Sequence, residues 1–178
     1  MHSPRKIQNI ALIGFMGTGK TSVGRLVADL LRFGFLDTDE LIEKRVGKSI
    51  NRLFEEDGEA AFREQERRVI EQLVSETRMV ISTGGGVGAN PADLDNLKGH
   101  ALVVCLWASP QTIWNRVRSQ GHRPLLQTEN PEAKIRELLA VREPFYRQAD
   151  ILLNTEVRSA KEVAQHVAHE FHFAVRSR

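Results

Sequence analysis

The sequence predicts an α/β fold, a three-layer αβα sandwich with a central five-stranded parallel sheet. Short apolar runs alternate with longer segments of helical periodicity, which is the pattern of βαβ units with right-handed crossovers. The apolar runs are continuous rather than alternating with polar residues, as is typical of strands buried on both faces of a parallel sheet. The 178 residues are enough for a sizeable core, so we expect a single domain over residues 1–178.

These patterns predict five strands and seven helices. The predicted strands cover residues 7–13, 33–36, 79–82, 101–107 and 151–153. The predicted helices cover residues 20–31, 40–46, 50–56, 59–76, 111–118, 132–146 and 160–173. Two regions depart from simple alternation. One is the long helical segment of about residues 38–76, and the other is the polar, basic segment of residues 119–130, which is typical of a lid.

Composition excludes several classes of protein. Hydrophobic residues make up 41% and charged residues 27% of the chain, which excludes a disordered chain and a collagen-like repeat. The 25 Lys and Arg residues nearly balance the 23 Asp and Glu residues, for a net charge of +2, so we expect no nucleic-acid partner. A single cysteine, Cys105, excludes an intrachain disulfide and a Cys-based zinc site, and its apolar surroundings predict a buried thiol.

The ends and apolar runs of the chain predict its compartment. Residues 1–9 are polar, and no apolar stretch approaches the roughly 20 residues that span a bilayer. We therefore expect a cytoplasmic protein without a membrane partner. No heptad or exposed apolar stripe stands out, so a monomer is the default expectation.

A glycine-rich motif follows the first predicted strand and opens the first helix. It reads Gly14-Phe-Met-Gly-Thr-Gly19-Lys20-Thr21 and matches the P-loop pattern G-x-x-x-x-G-K-T. Glycines let backbone N–H groups face phosphate oxygens, and the start of the helix favours the anion. A glycine-rich turn that only joins strand to helix is the alternative, and the complete motif disfavours it. The predicted nucleotide-binding residues are Gly14, Gly17, Thr18, Gly19, Lys20, Thr21 and Ser22.

Two roles within the motif follow from side-chain chemistry. Lys20 offers an ammonium to the β- and γ-phosphates, and Thr21 offers a hydroxyl to Mg²⁺. A GTPase would need a guanine-binding N-K-x-D motif, and the nearest string at Asn96 lacks the aspartate. The third predicted strand ends without the acid that motor, transporter and helicase ATPases usually place there.

The acids follow the second predicted strand instead, as Asp37 and Asp39. Residues two apart in an extended chain point the same way, so we expect both carboxylates to face the crevice at the carboxyl ends of the strands. The alternative is a pair of solvated acids that cap the next helix. Gly84, Gly85 and Gly86 end the third predicted strand, where they would let a ligand approach the backbone or would form a flexible connection.

Four arginines carry no clear signal by spacing alone: Arg63, Arg116, Arg123 and Arg142. Each is compatible with a solvated helix face or a surface ion pair, and Arg63 lies four residues from Glu59, an ordinary helical pair.

Taken together, these motifs resemble the shikimate kinase family. The resemblance extends from Ile10 to about Phe171 and covers several motifs in order: the P-loop, Asp37-x-Asp39, Phe54-x-x-x-Gly58-Glu59-x-x-Phe62-Arg63-x-x-Glu66, Gly84-Gly85-Gly86, Arg123-Pro-Leu-Leu126 and Arg142-x-x-x-Tyr146. The conjunction is more specific than any one motif. It implies a P-loop kinase fold with a lid at about residues 119–130 and a helical substrate-binding region at about residues 38–76.

The resemblance also implies an activity and roles for the residues. The family transfers the γ-phosphoryl group of ATP to the 3-hydroxyl of shikimate, with Mg²⁺, in aromatic amino acid biosynthesis. By resemblance, Arg63 and Arg142 hold the shikimate carboxylate, and Gly84, Gly85 and Gly86 contact the substrate. Asp39 orients the reacting hydroxyl and secondarily acts as a base, Asp37 positions Mg²⁺ beside Thr21, Arg116 lies near the adenine, and Lys20 and Arg123 neutralise charge on the transferring group.

Two alternatives stay open at this point. One is another small-molecule P-loop kinase, such as a gluconate kinase or a nucleoside monophosphate kinase. The other is a nucleotide-binding protein without catalysis. The adenine contacts near residues 155–158 are also open.

Overall fold

The computed structural model describes residues 5–119 and 124–176, which form a parallel five-stranded sheet with helices on both faces. In sheet order the strands run β2-β3-β1-β4-β5. Strands β1 to β5 span Asn9–Ile13, Gly34–Asp37, Met79–Ser82, Ala101–Trp107 and Ile151–Asn154. Within the described residues, helices α1 to α7 span Lys20–Leu31, Thr38–Val46, Ile50–Gln72, Pro91–His100, Pro110–Val117, Pro131–Tyr146 and Ala160–Arg176. The predicted α/β sandwich is therefore confirmed.

The central strand β1 divides the core into two apolar layers. Ile10 and Leu12 belong to the layer that includes residues of α1 and α7. Ala11 and Ile13 belong to the opposite layer, which includes residues of α3, α4, α5 and α6. Successive strand residues point to opposite faces, so one short apolar strand serves both layers. This is why β1 reads as a continuous hydrophobic run.

The edge strands are less buried than the central ones. All five residues of β1 are buried, and β4 is buried up to its last residue. In β2 no residue is fully buried, and in β5 only Leu153 is. The apolar signal is accordingly weaker at the edges, and the predicted bounds of these strands differ from the observed ones by a residue.

One helix was not predicted. Helix α4 lies between β3 and β4 and begins with Pro91 after Asn90, whose side chain accepts a hydrogen bond from the N–H of Ala92. Its apolar stripe is short because Leu94 and Leu97 are its buried apolar residues. Caps rather than periodicity mark this helix in the sequence.

The break expected between residues 56 and 59 is present as a kink within α3. Gly58 has φ 83° and ψ 174°, outside the helical region, and the helix resumes after it. Helix α3 ends at Gln72 and is followed by a 3₁₀ turn at Leu73–Ser75, so the predicted helix, which ends at residue 76, extends slightly too far. No α-helix among the described residues is long and apolar enough to cross a membrane.

Asn9 joins three elements at the amino end of the sheet. Its side chain is fully buried, and its Oδ1 accepts from the N–H of Met79 at 3.0 Å. Its Nδ2 donates to the carbonyl of Glu76 at 2.7 Å and lies 2.9 Å from Nδ1 of His100. This network fixes β1 against the start of β3 and the end of α4, on the side of the sheet opposite to the carboxyl ends of the strands.

We expect Asn9→Ala to lower the free energy of unfolding by about 3 kcal/mol, because the Met79 N–H and the Glu76 carbonyl lose the partner that the buried Asn9 side chain supplies. Urea denaturation measures this change. The Michaelis constant (KM) for nucleotide should stay near the wild-type value, since Asn9 lies at the far end of the sheet. Lys6→Ala, at an exposed position on the same segment, is the control. Equal stability of the two variants would contradict the prediction.

Candidate active site

The loop between β1 and α1 has the backbone geometry of a phosphate cradle. Gly14, Gly17 and Gly19 have φ values of 131°, 75° and 93°, a region that favours glycine. A Cβ on Gly14 would also collide with the carbonyl oxygen of Leu106. No side chain among the described residues caps α1, so the first N–H groups of this helix remain available to an anion.

Polar side chains of the loop brace it from within. The Thr18 hydroxyl donates to the carbonyl of Phe15 at 2.8 Å. The Lys20 ammonium donates to the carbonyls of Gly14 and Phe15 at 2.9 and 2.8 Å, and Lys20 is 8% exposed. This ammonium is thereby held next to the place where phosphates would lie.

A cavity of about 490 Å³ opens over this loop. Of the predicted nucleotide-binding residues, those that line it are Gly17, Thr18, Gly19, Lys20, Thr21, Ser22 and Arg116, whereas Gly14 is not among its lining residues. Thr155 and Arg158, from the segment after β5 whose contacts the sequence left open, line the same cavity. The cavity is large enough for a nucleotide-sized ligand.

Arg116 connects the loop to the segment after β5. Its guanidinium donates to the carbonyl of Gly17 at 3.2 Å, and to the hydroxyl and carbonyl oxygens of Thr155 at 3.0 and 2.8 Å. The next residue, Glu156, accepts hydrogen bonds from Ser109 and Thr112 at the start of α5. These hydrogen bonds lower the pKa of Glu156 to about 2, so it stays ionised in this position.

Thr21, Asp37 and Ser82 bring oxygen atoms together beside the loop. The Thr21 hydroxyl donates to Oδ2 of Asp37 at 2.9 Å and lies 3.4 Å from the Ser82 hydroxyl. Hydroxyl and carboxylate oxygens are the ligands that Mg²⁺ prefers, usually alongside water and phosphate oxygens. The donor set fits Mg²⁺, although the described residues contain no cluster of three His, Cys, Asp or Glu side chains that could hold a metal.

The structure corrects the explanation for Asp37 and Asp39. Both line the large cavity as expected, but Asp39 lies in the first turn of α2 and not in extended chain. Asp37 is the N-cap of this helix, with Oδ1 accepting from the N–H of Asp39 at 3.1 Å. The capping alternative is thus correct for Asp37. Alternation along a strand does not explain how both residues face the cavity, because the helix starts between them.

A second, smaller cavity of about 80 Å³ adjoins the first. The two cavities share Met16, Asp39, Gly84 and Gly85. The smaller one is otherwise lined by Ile50, Phe54, Phe62, Arg63, Gly86, Leu125 and Arg142. Apolar walls with two guanidinium groups suit a small anion that carries an apolar ring face.

Arg63 is held by two carboxylates of its own helix, one on either side. It donates to Glu59 at 2.9 Å and makes a close ion pair with Glu66. Burial lowers the pKa of Arg63, but Glu66 and Glu59 together outweigh burial, so its pKa is raised and it stays charged. The expected surface pair with Glu59 is present, and Glu66 adds a buried partner, at 2% exposure.

Burial raises the pKa of the Glu66 carboxyl to about 7, with Asp39 and Asp93 acting in the same direction and the Arg63 guanidinium opposing them. Its Oε1 has no hydrogen-bond partner among the described residues. A Cβ on Gly84 would collide with this oxygen and would lie 2.9 Å from Oδ1 of Asp39. Gly84 therefore allows two carboxyl groups to approach the loop after β3.

Arg142 and Tyr146, both on α6, meet the same loop. The Arg142 guanidinium donates to the carbonyl of Gly85 at 3.0 Å and lies 5.3 Å from the centroid of the Phe15 ring. The Tyr146 hydroxyl donates to the same carbonyl at 2.6 Å. Arg142 was predicted as a site residue from the sequence, whereas Tyr146 had no predicted role.

The structure brings together Lys20, Thr21, Asp37, Asp39, Arg63, Gly84, Gly85, Gly86, Arg116 and Arg142 around the two cavities. Arg123 lies outside the described residues. Of the expected lid, the 3₁₀ turn Pro124–Leu126 is described, and Leu125 from it lines the smaller cavity. Further residues at the site had no predicted role, among them Met16, Phe54, Phe62, Glu66 and Ser82, of which the first four lie within the resemblance motifs.

Comparison with known proteins identifies the family. The family model described as shikimate kinase matches residues 16–172. The shikimate kinase of Thermodesulfovibrio yellowstonii is 46% identical over 165 residues, which cover 93% of this chain and 95% of that protein. The chain belongs to the shikimate kinase family. A shikimate kinase of Thermus thermophilus is also similar, with 44% identity over 94% of this chain and 91% of that protein.

Solved structures agree with this family assignment. Shikimate kinase from Acinetobacter baumannii in complex with shikimate superposes with a TM-score of 0.90, at 39% identity, over 95% of each chain. A gluconokinase from Sinorhizobium meliloti superposes with a TM-score of 0.65 at 16% identity, which shows a shared fold. Sequence similarity therefore favours the shikimate kinase family over the gluconate kinase alternative.

The raised pKa of Glu66 predicts a pH-dependent stability. A carboxyl group whose pKa is higher in the folded state stabilises the fold below its unfolded pKa, and this contribution is lost as the pH rises through about 7. The melting temperature should fall by roughly 3–6 °C between pH 5.5 and 8 through this group. Glu66→Gln should flatten that change in differential scanning fluorimetry.

Glu64→Gln is the matched control, because Glu64 lies on the same helix with its side chain 38% exposed and paired with Arg67 and Arg68. It should keep the wild-type pH profile. A Glu66→Gln profile parallel to that of the wild type would show that Glu66 does not titrate in this range.

Proposed function

We propose that this chain is an ATP-dependent shikimate kinase, which transfers the γ-phosphoryl group of ATP to the 3-hydroxyl of shikimate and releases shikimate 3-phosphate and ADP. This reaction serves aromatic amino acid biosynthesis. The observation that carries the proposal is the pair of adjoining cavities, one over a P-loop and one lined by two arginines, in a chain of the shikimate kinase family. Their shared wall at Asp39 and Gly84 is where a phosphoryl group would pass between the ligands.

The larger cavity is the proposed ATP site. Backbone N–H groups of residues 14–21 and the start of α1 bind the phosphates, and Lys20 adds a positive charge at the transferring group. Arg116 lies on the adenine side of this site. Thr155, which accepts hydrogen bonds from Arg116, lies on the same side. In this assignment Arg116 orders the nucleotide site by joining two of its loops.

Thr21 and Asp37 are the residues proposed to hold Mg²⁺, which when bound would neutralise charge on the β- and γ-phosphates. Support comes from their contact of 2.9 Å at the mouth of the phosphate loop. Because the Thr21 hydroxyl donates a hydrogen bond to Asp37, a lone pair of its oxygen can face a cation.

The smaller cavity is the proposed shikimate site. Arg63 and Arg142 bind the carboxylate, since guanidinium groups offer paired donors at the spacing of carboxylate oxygens. Phe54 and Phe62, whose ring centroids are 4.8 Å apart, provide an apolar wall. The Gly84–Gly86 segment contributes backbone groups, with no side chain between it and the substrate.

Asp39 is proposed to orient the hydroxyl that attacks the γ-phosphorus. It lies on the wall common to both cavities, as this role requires. The attacking hydroxyl loses its proton as the P–O bond forms and the bond to ADP breaks, and the Asp39 carboxylate accepts a hydrogen bond from it. A loose transition state does not require a strong base, so orientation is the primary role and proton acceptance the secondary one.

The remaining assignments belong to the same proposal. Residues 119–130 form a lid, Arg123 contributes a cation from it, and residues 38–76 form the substrate-binding region of a single domain. Closure of the lid would exclude water that could otherwise hydrolyse ATP. Leu125 supports this arrangement because it already lines the shikimate cavity.

The proposal includes a cytoplasmic monomer without membrane or nucleic-acid partners. Cys105 is a buried free thiol, and burial raises its pKa to about 12, so it stays protonated.

An acceptor panel tests the reaction. Purified protein with ATP should release ADP in the presence of shikimate at a rate at least a hundredfold above the rates with gluconate, AMP or no acceptor. Omission of Mg²⁺ should abolish the release. Turnover of gluconate or AMP would indicate another small-molecule kinase. ATP binding without any acceptor-dependent release would indicate a non-catalytic nucleotide-binding protein.

Arg63→Ala should raise the KM for shikimate about 10- to 100-fold, because a charge-assisted hydrogen bond to the carboxylate is lost. The KM for ATP should change less than twofold, since Arg63 lines the smaller cavity and not the larger one. Steady-state kinetics with each substrate varied in turn measures both values.

The control is Arg68→Ala, on the same helix, whose guanidinium pairs with Glu64 at the surface. This variant should keep both KM values. Unchanged shikimate kinetics in Arg63→Ala would remove Arg63 from the acceptor site.

A further inference from the structure

Tyr146 has no part in the mechanism above, yet it touches the wall of the acceptor cavity. It lies one helical turn after Arg142 on α6 and is 2% exposed. Its hydroxyl donates to the carbonyl of Gly85 at 2.6 Å, and Arg142 donates to the same oxygen at 3.0 Å. One backbone carbonyl of the glycine segment therefore receives two side-chain donors from one helix.

Two donors on one carbonyl restrict the peptide plane. A carbonyl oxygen has two lone pairs, and here Tyr146 and Arg142 each occupy one. The peptide unit is planar, so the direction of the Gly85 carbonyl also determines the direction of the Gly86 N–H on the other side of the plane. Without such bonds, three consecutive glycines would sample many backbone conformations.

The same contact orders the Arg142 guanidinium. One terminal nitrogen of Arg142 is bonded to Gly85, and the guanidinium faces the ring of Phe15. An arginine fixed at one nitrogen presents its other donors in a defined direction, since the group is planar and rigid. The Gly85 carbonyl thus fixes both a backbone segment and one of the two cations that line the acceptor cavity.

The environment of Tyr146 keeps it in the role of a donor. Burial raises the pKa of its hydroxyl to about 12, so the group carries its proton throughout the working pH range. Its ring packs beside Gly88, where an added Cβ would lie 3.2 Å from the ring carbon Cε1. The backbone at Gly88 therefore lies close to the ring and, with the burial of the ring, limits its movement.

We infer that Tyr146 is a positioning residue of the acceptor site. Its hydroxyl holds the Gly85 carbonyl, and through this carbonyl it orients both the Gly85–Gly86 peptide and the Arg142 guanidinium to receive shikimate. The inference rests on the proposed function, because it concerns the same acceptor cavity. Its role is distinct from core packing, since it depends on one oxygen atom of the side chain.

Tyr146→Phe tests this role by removing that oxygen while keeping the ring. We expect the KM for shikimate to rise about fivefold or more, because one neutral hydrogen bond is lost together with the positioning that depends on it. The KM for ATP and the turnover number at saturating shikimate should stay within twofold of wild type. The dissociation constant of shikimate, measured by calorimetry without turnover, should rise by a similar factor.

Leu139→Val is the control for a general loss of packing in α6, because Leu139 is buried on the same helix and is not among the residues that line either cavity. It should lower the melting temperature and leave both KM values unchanged. A Tyr146→Phe enzyme with a lower melting temperature and a wild-type KM for shikimate would overturn the inference, because the hydroxyl would then be purely structural.

A second variant keeps the test decisive if Tyr146→Phe does not fold. 4-Methylphenylalanine in place of Tyr146 fills the space of the hydroxyl without a donor, and 4-aminophenylalanine fills it with one. The KM for shikimate should rise with the first and stay near the wild-type value with the second, and equal KM values would overturn the inference. Wild-type protein in the same assay separates the proposed function from the inference about Tyr146. Absence of shikimate-dependent ADP release would reject both. An active wild type with unaffected variants would reject the inference alone.

Discussion

The parallel pairing of β1 with β3 on one side and β4 on the other is the constraint on which the site depends. The carboxyl ends of these strands meet at one edge, so the loop after β1 lies between the glycine segment after β3 and the backbone of β4. The phosphate loop and Gly84 become neighbours through this pairing, and the parallel pairing of β2 with β3 adds Asp39 to them. Asn9 at the opposite end holds the same strands in register through its hydrogen bonds to Met79 and Glu76.

Much of the fold could be predicted from sequence because its signals are local. The continuous apolar runs located all five strands, and a motif of eight residues located the phosphate loop within its strand and helix. Helix α4 was missed because its buried apolar stripe is limited to Leu94 and Leu97. Asp37 and Asp39 do face the crevice, but alternation along an extended chain does not explain it, since α2 starts between them.

The acceptor site was harder to predict from sequence, because it is formed by tertiary contacts. Arg63 and Arg142 are 79 positions apart in sequence, and spacing alone could not distinguish them from surface arginines; the family resemblance supplied their roles. Burial of Glu66 and the shared Gly85 carbonyl arise where α3 and α6 meet the loop after β3. No local pattern reports that a carboxylate is buried or that two donors converge on one oxygen.

Gly14 has a consequence for which sequences can retain this fold. Its φ of 131° and the carbonyl of Leu106 beneath it leave space for a hydrogen atom and nothing larger. The requirement for glycine is therefore imposed by β4 and exists whether or not a nucleotide is bound. A descendant of this protein that had lost every catalytic group would still be selected to keep that glycine, so its presence in a sequence reports the architecture before it reports the chemistry.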